Sequence, residues 1–433
     1  MSPAAGVTAP LLPESKPGAK HASVSGAVFN VSTSIIGAGI MSIPATLKVL
    51  GVVPAFLLIV FIGWLADISV EFLMRYTHAG DSTTYAGVMR ESFGKVGSGL
   101  VQICVIITNL GCLIIYLIII GDVLSGDVDH LGVLQQWFGI HWWNSRAFAL
   151  LFTLVFILLP LVLFRRVESL SYSSAISVFL AVLFVAISSV MAILALLEGK
   201  TNTPRILPEL DNKTSFFDLF TAVPVIVTAF TFHFNVHPIG FEMDKPSKMI
   251  LAVRISIILC AAIYFTIGLF GYLLFGDSIM ADILVNFDQN SGSAVGSLLN
   301  DIVRLSYALH LMLVFPLLNF SLRANLDEFL FPNKTVLSKD NTRFLSLTLV
   351  LLVFSYLAAI AIPNIWYFFQ FMGSTTAVSL AFIFPGAIVL RDAWGISSAR
   401  DRILAGVMIF LAIVTSIIAI SSNIHSLMTG NES

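Results

Sequence analysis

The chain has 433 residues, of which 57% are hydrophobic and only 11% charged, for a net charge of −2. A water-soluble globule carries about a quarter charged residues on its surface, so a soluble fold is excluded; no basic stripe exists to neutralise phosphates, so a nucleic-acid partner is excluded as well. The three cysteines, Cys104, Cys112 and Cys260, all sit inside apolar runs, which argues against a disulfide framework and a zinc site and leaves no cofactor or metal expected.

Residues 1–23 contain Pro, Gly and Ser without the apolar core of a signal peptide, and they read as a disordered cytosolic tail. Eleven apolar segments then follow, at 24–50, 54–77, 96–124, 146–164 and 170–197, and at 216–243, 249–275, 299–320, 342–362, 366–390 and 403–425. Such runs match the roughly 20 residues a helix needs to cross hydrocarbon. They are continuous rather than alternating, which excludes a β-barrel. The expected fold is therefore an all-α integral membrane protein with eleven transmembrane helices embedded in a lipid bilayer. It comprises a first repeat at 24–197, a second at 216–390, an extra helix at 403–425 and a short tail at 426–433. Connections are short; in the first of any length, residues 84–93 read as a small helix lying on the membrane surface.

Lys and Arg resist translocation and mark cytosolic loops. With the N-terminus inside, 17 of the 23 Lys and Arg fall on the cytosolic side and 6 on the other. The C-terminus is then lumenal or extracellular, and so is the sequon at Asn212. The sequon at Asn333 faces the cytosol.

The first span contains Ile36-Gly37-Ala38-Gly39-Ile40 and then Pro44. Glycine tolerates unusual dihedrals and proline donates no helical hydrogen bond, so this span should unwind near Gly37–Gly39. The sixth contains Phe230-Thr231-Phe232-His233-Phe234-Asn235-Val236-His237-Pro238. There Pro238 is expected in the first turn of a new half-helix, with Asn235 or His237 as its cap. Gly and Pro also occur in membrane helices for close packing alone. Two breaks five spans apart nevertheless fit a five-plus-five inverted repeat, in which discontinuous helices meet at the midplane and bind substrate. Half-helix N-termini offer N–H groups to a carboxylate, and C-terminal carbonyls can hold an ammonium group or a cation.

The run Phe29-Asn30-Val31-Ser32 through Ile36-Gly37-Ala38-Gly39-Ile40 resembles the first-span motif of the amino acid/auxin permease family, in its branch of sodium-coupled neutral amino acid transporters. The second break resembles that of plant vacuolar amino acid transporters in the same branch. The resemblance covers nearly the whole chain. It implies a LeuT-type inverted repeat with broken helices one and six, and an amino-acid substrate moved towards the cytosol by alternating access. It maps substrate contacts onto Gly37, Ala38, Gly39 and Ile40, and onto Phe230, Thr231, His233 and Asn235. The membrane it implies is vacuolar or lysosomal, or the plasma membrane.

Ionisable groups inside hydrocarbon are costly and mark function by default. Asp67 has no obvious local partner and is a proton-site candidate, whereas Glu71 reads as paired with Arg75 one turn on. Imidazole titrates near neutrality, which makes His233, His237 and His310 candidates for proton relay; the alternative is a neutral ring bonded to backbone freed by a helix break. Asn109, Tyr116 and Gln370 read as interhelical hydrogen-bonding groups. Sodium-coupled members carry Asn where this chain has Thr33, and threonines in span eight that are missing before Phe315-Pro316. That departure favours a proton over sodium as the coupled ion, with uncoupled movement also open. A sensor with little flux and an integral-membrane enzyme are the competing classes. The short tails leave little to dock a partner, and no third ligand joins His233 and His237, so the expectation is a carrier and not an enzyme. The absence of an Arg or Lys near the breaks points to neutral or broad-range amino acids.

Overall fold

The computed structural model describes residues 23–126, 130–164, 171–209, 216–241, 243, 246–287, 294–332, 334–335, 337–362 and 365–429. Both sequons, at Asn212 and Asn333, and the first 22 residues lie outside them.

Span one is divided into α1 (Val24–Ile35) and α2 (Gly39–Leu50), two axes bent by 61°. Span two is α3 (Val52–Ala79). The surface helix expected at 84–93 is the first part of α4 (Tyr85–Ser125), whose N-terminus is capped by the Thr84 hydroxyl accepting from Gly87 N at 3.0 Å. Gly94, at φ 68°, turns the chain from that surface segment into span three; a left-handed residue of this kind favours glycine. After the short α5 (Val133–Phe138), span four comprises α6 (Arg146–Thr153), a π-helical stretch and α7 (Leu159–Val162).

Span five is α8 (Ser171–Leu197). Span six comprises α9 (Ala222–Ala229) and α10 (His233–Phe241), interrupted at residues 230–232. Span seven is α11 (Pro246–Phe275), followed in the connection by the single-turn α12 (Ile283–Asn286). Spans eight and nine are α13 (Ala294–Leu330) and α14 (Asn341–Ala361). Span ten runs from α15 (Ile365–Met372) through two π-helical stretches into α16 (Phe384–Arg391), and span eleven is α17 (Ala399–Thr429).

Among the described residues, nine helices are long and apolar enough to cross a membrane, the bent pair of span one makes a tenth, and Arg146–Val162 is apolar but shorter. Ten of the eleven expected spans thus appear in their expected order, with the shorter apolar helix in the place of the fourth. No strand occurs among the described residues beyond an isolated bridge, Gly126 to Leu131. Lipid-exposed faces carry large apolar side chains, for example Leu57, Ile258 and Phe410. The core is built around the two broken spans: α2 packs against α9, α1 and α2 both pack on α11, and α13 packs on α4 and α8.

The two second halves are alike. Pro44 is the sixth residue of α2 and Pro238 the sixth of α10. The expectation that Pro238 lies in the first turn of the new half-helix is therefore corrected: that helix begins at His233. Proline's missing N–H removes only one bond in the second turn, while the chain has already left helical geometry at residues 230–232. Asn235 and His237 lie within that helix and do not cap it.

Candidate functional site

The two interruptions sit side by side, and two glycines and three tyrosines explain how. A Cβ on Gly39 would lie 2.8 Å from the Ala229 backbone, so only glycine lets α2 approach the end of α9 this closely. A Cβ on Gly37 would lie 2.6 Å from the Tyr116 hydroxyl on α4. Tyr264 of α11 places its hydroxyl 2.6 Å from the Ile35 carbonyl and 2.9 Å from the Ala229 carbonyl, joining the C-terminal ends of α1 and α9. Tyr307 of α13 donates to the Gly37 carbonyl at 2.7 Å. Backbone freed by unwinding inside hydrocarbon must find partners, and buried tyrosine hydroxyls supply them here. Tyr264 and Tyr307 escape a sequence reading centred on Gly, Pro and charge. The one signal available is a phenol inside an otherwise apolar run, and a packed core tyrosine gives the same signal.

The result is two helix C-termini and two helix N-termini converging on one place. α2 begins at Ala38–Gly39 with no side-chain cap, so its first N–H groups and the positive end of its dipole point at the break. The region is tightly packed: Ile36, Ala38, Ile40, Phe230 and Thr231 are all buried. Phe230 stands edge-on to Tyr264 with ring centroids 5.2 Å apart. The Thr231 hydroxyl donates to the Val227 carbonyl at 2.7 Å, closing the last turn of α9. Asn235 reaches back from α10 to α1, its amide donating to the Ser34 hydroxyl at 3.3 Å. All eight residues expected to bind substrate lie in or beside the two breaks.

The ion-coupling candidates separate. Thr33 is buried and its hydroxyl donates to the Phe29 carbonyl one turn back, at 2.9 Å. His233 is fully buried, with Nε2 2.6 Å from the Ser69 hydroxyl on α3. His237 has Nε2 2.8 Å from Thr77 Oγ1 and stacks on Tyr85 at 5.8 Å. Because Thr77 Oγ1 donates to the Leu73 carbonyl, it accepts from His237. Both rings thus tie α10 to α3. His310 differs from both. Its Nδ1 donates to the Ser177 carbonyl on α8 at 2.7 Å, and the ring also faces the Ile36 carbonyl at the break of span one.

Asp67 has no local partner but does have a distant one. Both its oxygens accept from Arg254 Nε, each at 3.1 Å. Arg254 lies on α11, 187 residues away, beyond any local spacing rule. Asp67 and Arg254 border an apolar groove of about 600 Å³ between α3 and α11. Glu71 accepts from Arg75 at 2.8 Å as expected, and from Arg254 Nη2 at 2.8 Å in addition. Asn109 fulfils its interhelical reading, its amide donating to Ser321 on α13.

With this geometry in hand, comparison with known proteins is informative. Over 424 residues the chain is 67% identical to "Amino acid transporter AVT6C" of Arabidopsis thaliana, covering 96% of this chain and 98% of the relative. It is 27% identical over 377 residues to "Sodium-coupled neutral amino acid transporter 7" of Danio rerio, covering 84% and 78%. Among solved structures, MhsT in complex with L-phenylalanine superposes with a TM-score of 0.54 at 15% identity, covering 94% of this chain and all of that one. The Eremococcus coleocola manganese transporter bound to an aromatic bis-isothiourea compound gives a TM-score of 0.57 at 12% identity, covering 95% and 88%. These structures establish the LeuT-type fold. Residues 20–428 match the profile of the family described as "Transmembrane amino acid transporter protein", and the chain belongs to that family.

Proposed function

We propose that the protein is a secondary active carrier of neutral or broad-range amino acids, proton-coupled and working by alternating access towards the cytosol from a vacuolar, lysosomal or extracellular space. The observation that carries this reading is the meeting of the α1 and α9 C-termini with the α2 and α10 N-termini around residues 36–38 and 230–232. An amino acid presents an ammonium group and a carboxylate a few ångströms apart. Carbonyl ends attract the first and N–H ends the second, with no charged side chain required. Family membership and the name of the Arabidopsis relative support the substrate class. The packed state of the breaks is consistent with a carrier that opens to load and then closes.

His310 supports the proton. In the neutral ring, Nδ1–H is committed to Ser177, so Nε2 presents a lone pair towards the side where the Ile36 carbonyl lies. A proton on Nε2 turns that repulsion into a hydrogen bond to the broken span, which gives the two protonation states different preferences for the position of α1. Sodium is the second reading, favoured by the printed name of the Danio rerio relative.

Purified protein in proteoliposomes, offered a panel of labelled amino acids under imposed pH or sodium gradients, tests the whole reading. The expected result is accumulation driven by a proton gradient and unaffected when sodium is replaced by an inert cation. Uptake of none of the panel would end the carrier reading, and accumulation that follows sodium alone would replace the proton with sodium.

A further inference from the structure

The described part of the connection between spans seven and eight, residues 276–287, folds down over span one. The Ser42 hydroxyl of α2 donates to the Ala281 carbonyl at 2.7 Å. Asn286 staples the connection to itself, donating to the Ser278 carbonyl and accepting from Met280 N at 2.8 and 2.9 Å. α12 packs against α2 and α4, and the parts in contact are sealed: Ser42 and Leu284 are fully buried and Asp282 is 3% exposed.

Asp282 is therefore a carboxyl group buried beneath this connection. Its Oδ1 accepts from Leu284 N at 2.9 Å, whereas its Oδ2 is buried with no hydrogen-bond partner among the described residues. The charged groups around it are few. From α4 comes Asp122, itself paired with Arg146 of α6. From α13 come Arg304, whose Nη2 donates to the Leu131 carbonyl at 2.8 Å, and the phenol of Tyr307. From α2 comes the uncharged Ser42, with Lys48 in that helix's last turn. An ionised carboxylate whose second oxygen is buried without a donor is costly, and a neutral carboxyl is much less so.

We propose that Asp282 is a proton-binding site that latches this connection as a gate: the carboxyl is protonated when the connection closes over α2 and ionised when it lifts. Burial, with the Asp122 carboxylate adding to it, raises the Asp282 carboxyl to about 8, against the opposing pull of Leu284 N–H and Arg304. In an open, hydrated gate the same group returns to roughly 3.9. The closed gate binds the proton more tightly, so closing takes a proton up and is favoured at low pH. From about pH 3.9 to about pH 8 each unit of rise weakens closure about tenfold, and above that window the penalty stays constant. With the proposed orientation, on which this inference rests for its biological sense, the gate faces the lumen or exterior, and an acidic lumen drives it shut behind its cargo.

A labelling experiment that needs no substrate tests the latch. Ser42→Cys places a near-isosteric thiol beneath the connection. Its rate of reaction with a membrane-impermeant maleimide, added to the Asp282 face of sealed vesicles, is normalised to Ile140→Cys, a 74% exposed position on the same face. Between about pH 5.5 and about pH 8.5 the normalised rate should rise at least about tenfold. In the Asp282→Asn background, where the amide holds the neutral form at every pH, it should stay low and flat. Asp282→Glu keeps the ionisable group and should keep the rise. A flat profile with Asp282 intact, or an unchanged rise in Asp282→Asn, overturns the proposal. Because the readout is thiol reactivity, failure here leaves the carrier reading standing, and absence of flux in proteoliposomes leaves the latch standing.

Discussion

The carbonyls of Ile35 and Ala229, each the last residue of a half-helix from a different span, meet at the Tyr264 hydroxyl at 2.6 and 2.9 Å. A phenol has a single proton to give. Two acceptors therefore share one donor, and the pair retains a local negative potential suited to an ammonium group. Tyr264→Phe removes the donor and leaves two buried carbonyls facing each other. Leaving a buried acceptor unmet costs about 1–3 kcal/mol. The thermal unfolding midpoint of the purified variant should drop clearly, and an unchanged midpoint would show that the hydroxyl is not what joins the two ends.

Gly37 and Gly39 face different obstacles, and substitution should tell them apart. In Gly37→Ala the new methyl meets the tip of a side chain, the Tyr116 oxygen at 2.6 Å, while the next Tyr116 atom is at 3.6 Å. Removing that oxygen as well, in Gly37→Ala with Tyr116→Phe, should restore much of the transport that Gly37→Ala loses. In Gly39→Ala the methyl meets Ala229 Cα at 2.8 Å, which no side-chain change moves. Uptake rates of these three variants and of Gly39→Ala with Tyr116→Phe, corrected for protein in the membrane, check the contrast. Equal rescue of both glycine variants by Tyr116→Phe would contradict it.

Which features were legible in the sequence follows from how local they are. Span number, order and the two breaks are written in runs of consecutive residues and in Gly and Pro, whose effects act within a turn or two. The pairing Glu71–Arg75 follows from i, i+4 spacing. Asp67–Arg254, Tyr264 at the breaks, and Asp282 beneath its connection depend on segments far apart in the chain. No periodicity within one helix announces them. The place of Pro238 in its half-helix is ambiguous in sequence for a related reason. Proline is allowed in a first turn, but it is also allowed wherever the single bond it removes can be spared.

Asp392 fixes the connection between spans ten and eleven. Its Oδ1 accepts from Tyr76 Oη at 2.8 Å, Ile396 N at 2.8 Å and Ser397 N at 3.1 Å, and its Oδ2 accepts from Arg402 at 2.8 Å. Though some desolvation works against it, the bonds from Tyr76, Arg402 and the backbone hold this carboxyl well below the usual carboxylate range. A depressed carboxyl stabilises the fold at all pH values above its unfolded pKa, and that support fades as pH falls from the unfolded value to the folded one. Acidity of the order of pH 5 should therefore leave the connection intact, since unperturbed Asp titrates near 3.9. The residue adopts φ 46°, a conformation Asn also tolerates, so Asp392→Asn removes charge without straining the backbone. The variant should unfold at a lower temperature than the parent at neutral pH, with the gap narrowing only in strong acid; a gap that does not depend on pH would assign the effect to shape rather than charge.

His310 is where gradient and substrate should come apart. Its ring bridges α8 and the break of span one, whereas His233 and His237 face α3. Gln at position 310 can keep a donor for the Ser177 carbonyl while losing the titrating nitrogen. In His310→Gln, exchange of external for internal amino acid, which needs no net proton movement, should continue. Accumulation against a gradient under an imposed ΔpH should fall by at least about tenfold, the size of a coupling energy near 1.4 kcal/mol. His233→Gln and His237→Gln should instead lower stability and depress exchange and accumulation together, because their rings hold α10 against α3. If His310→Gln loses exchange and accumulation in the same proportion, the ring is a structural bridge, and the coupled proton is carried elsewhere.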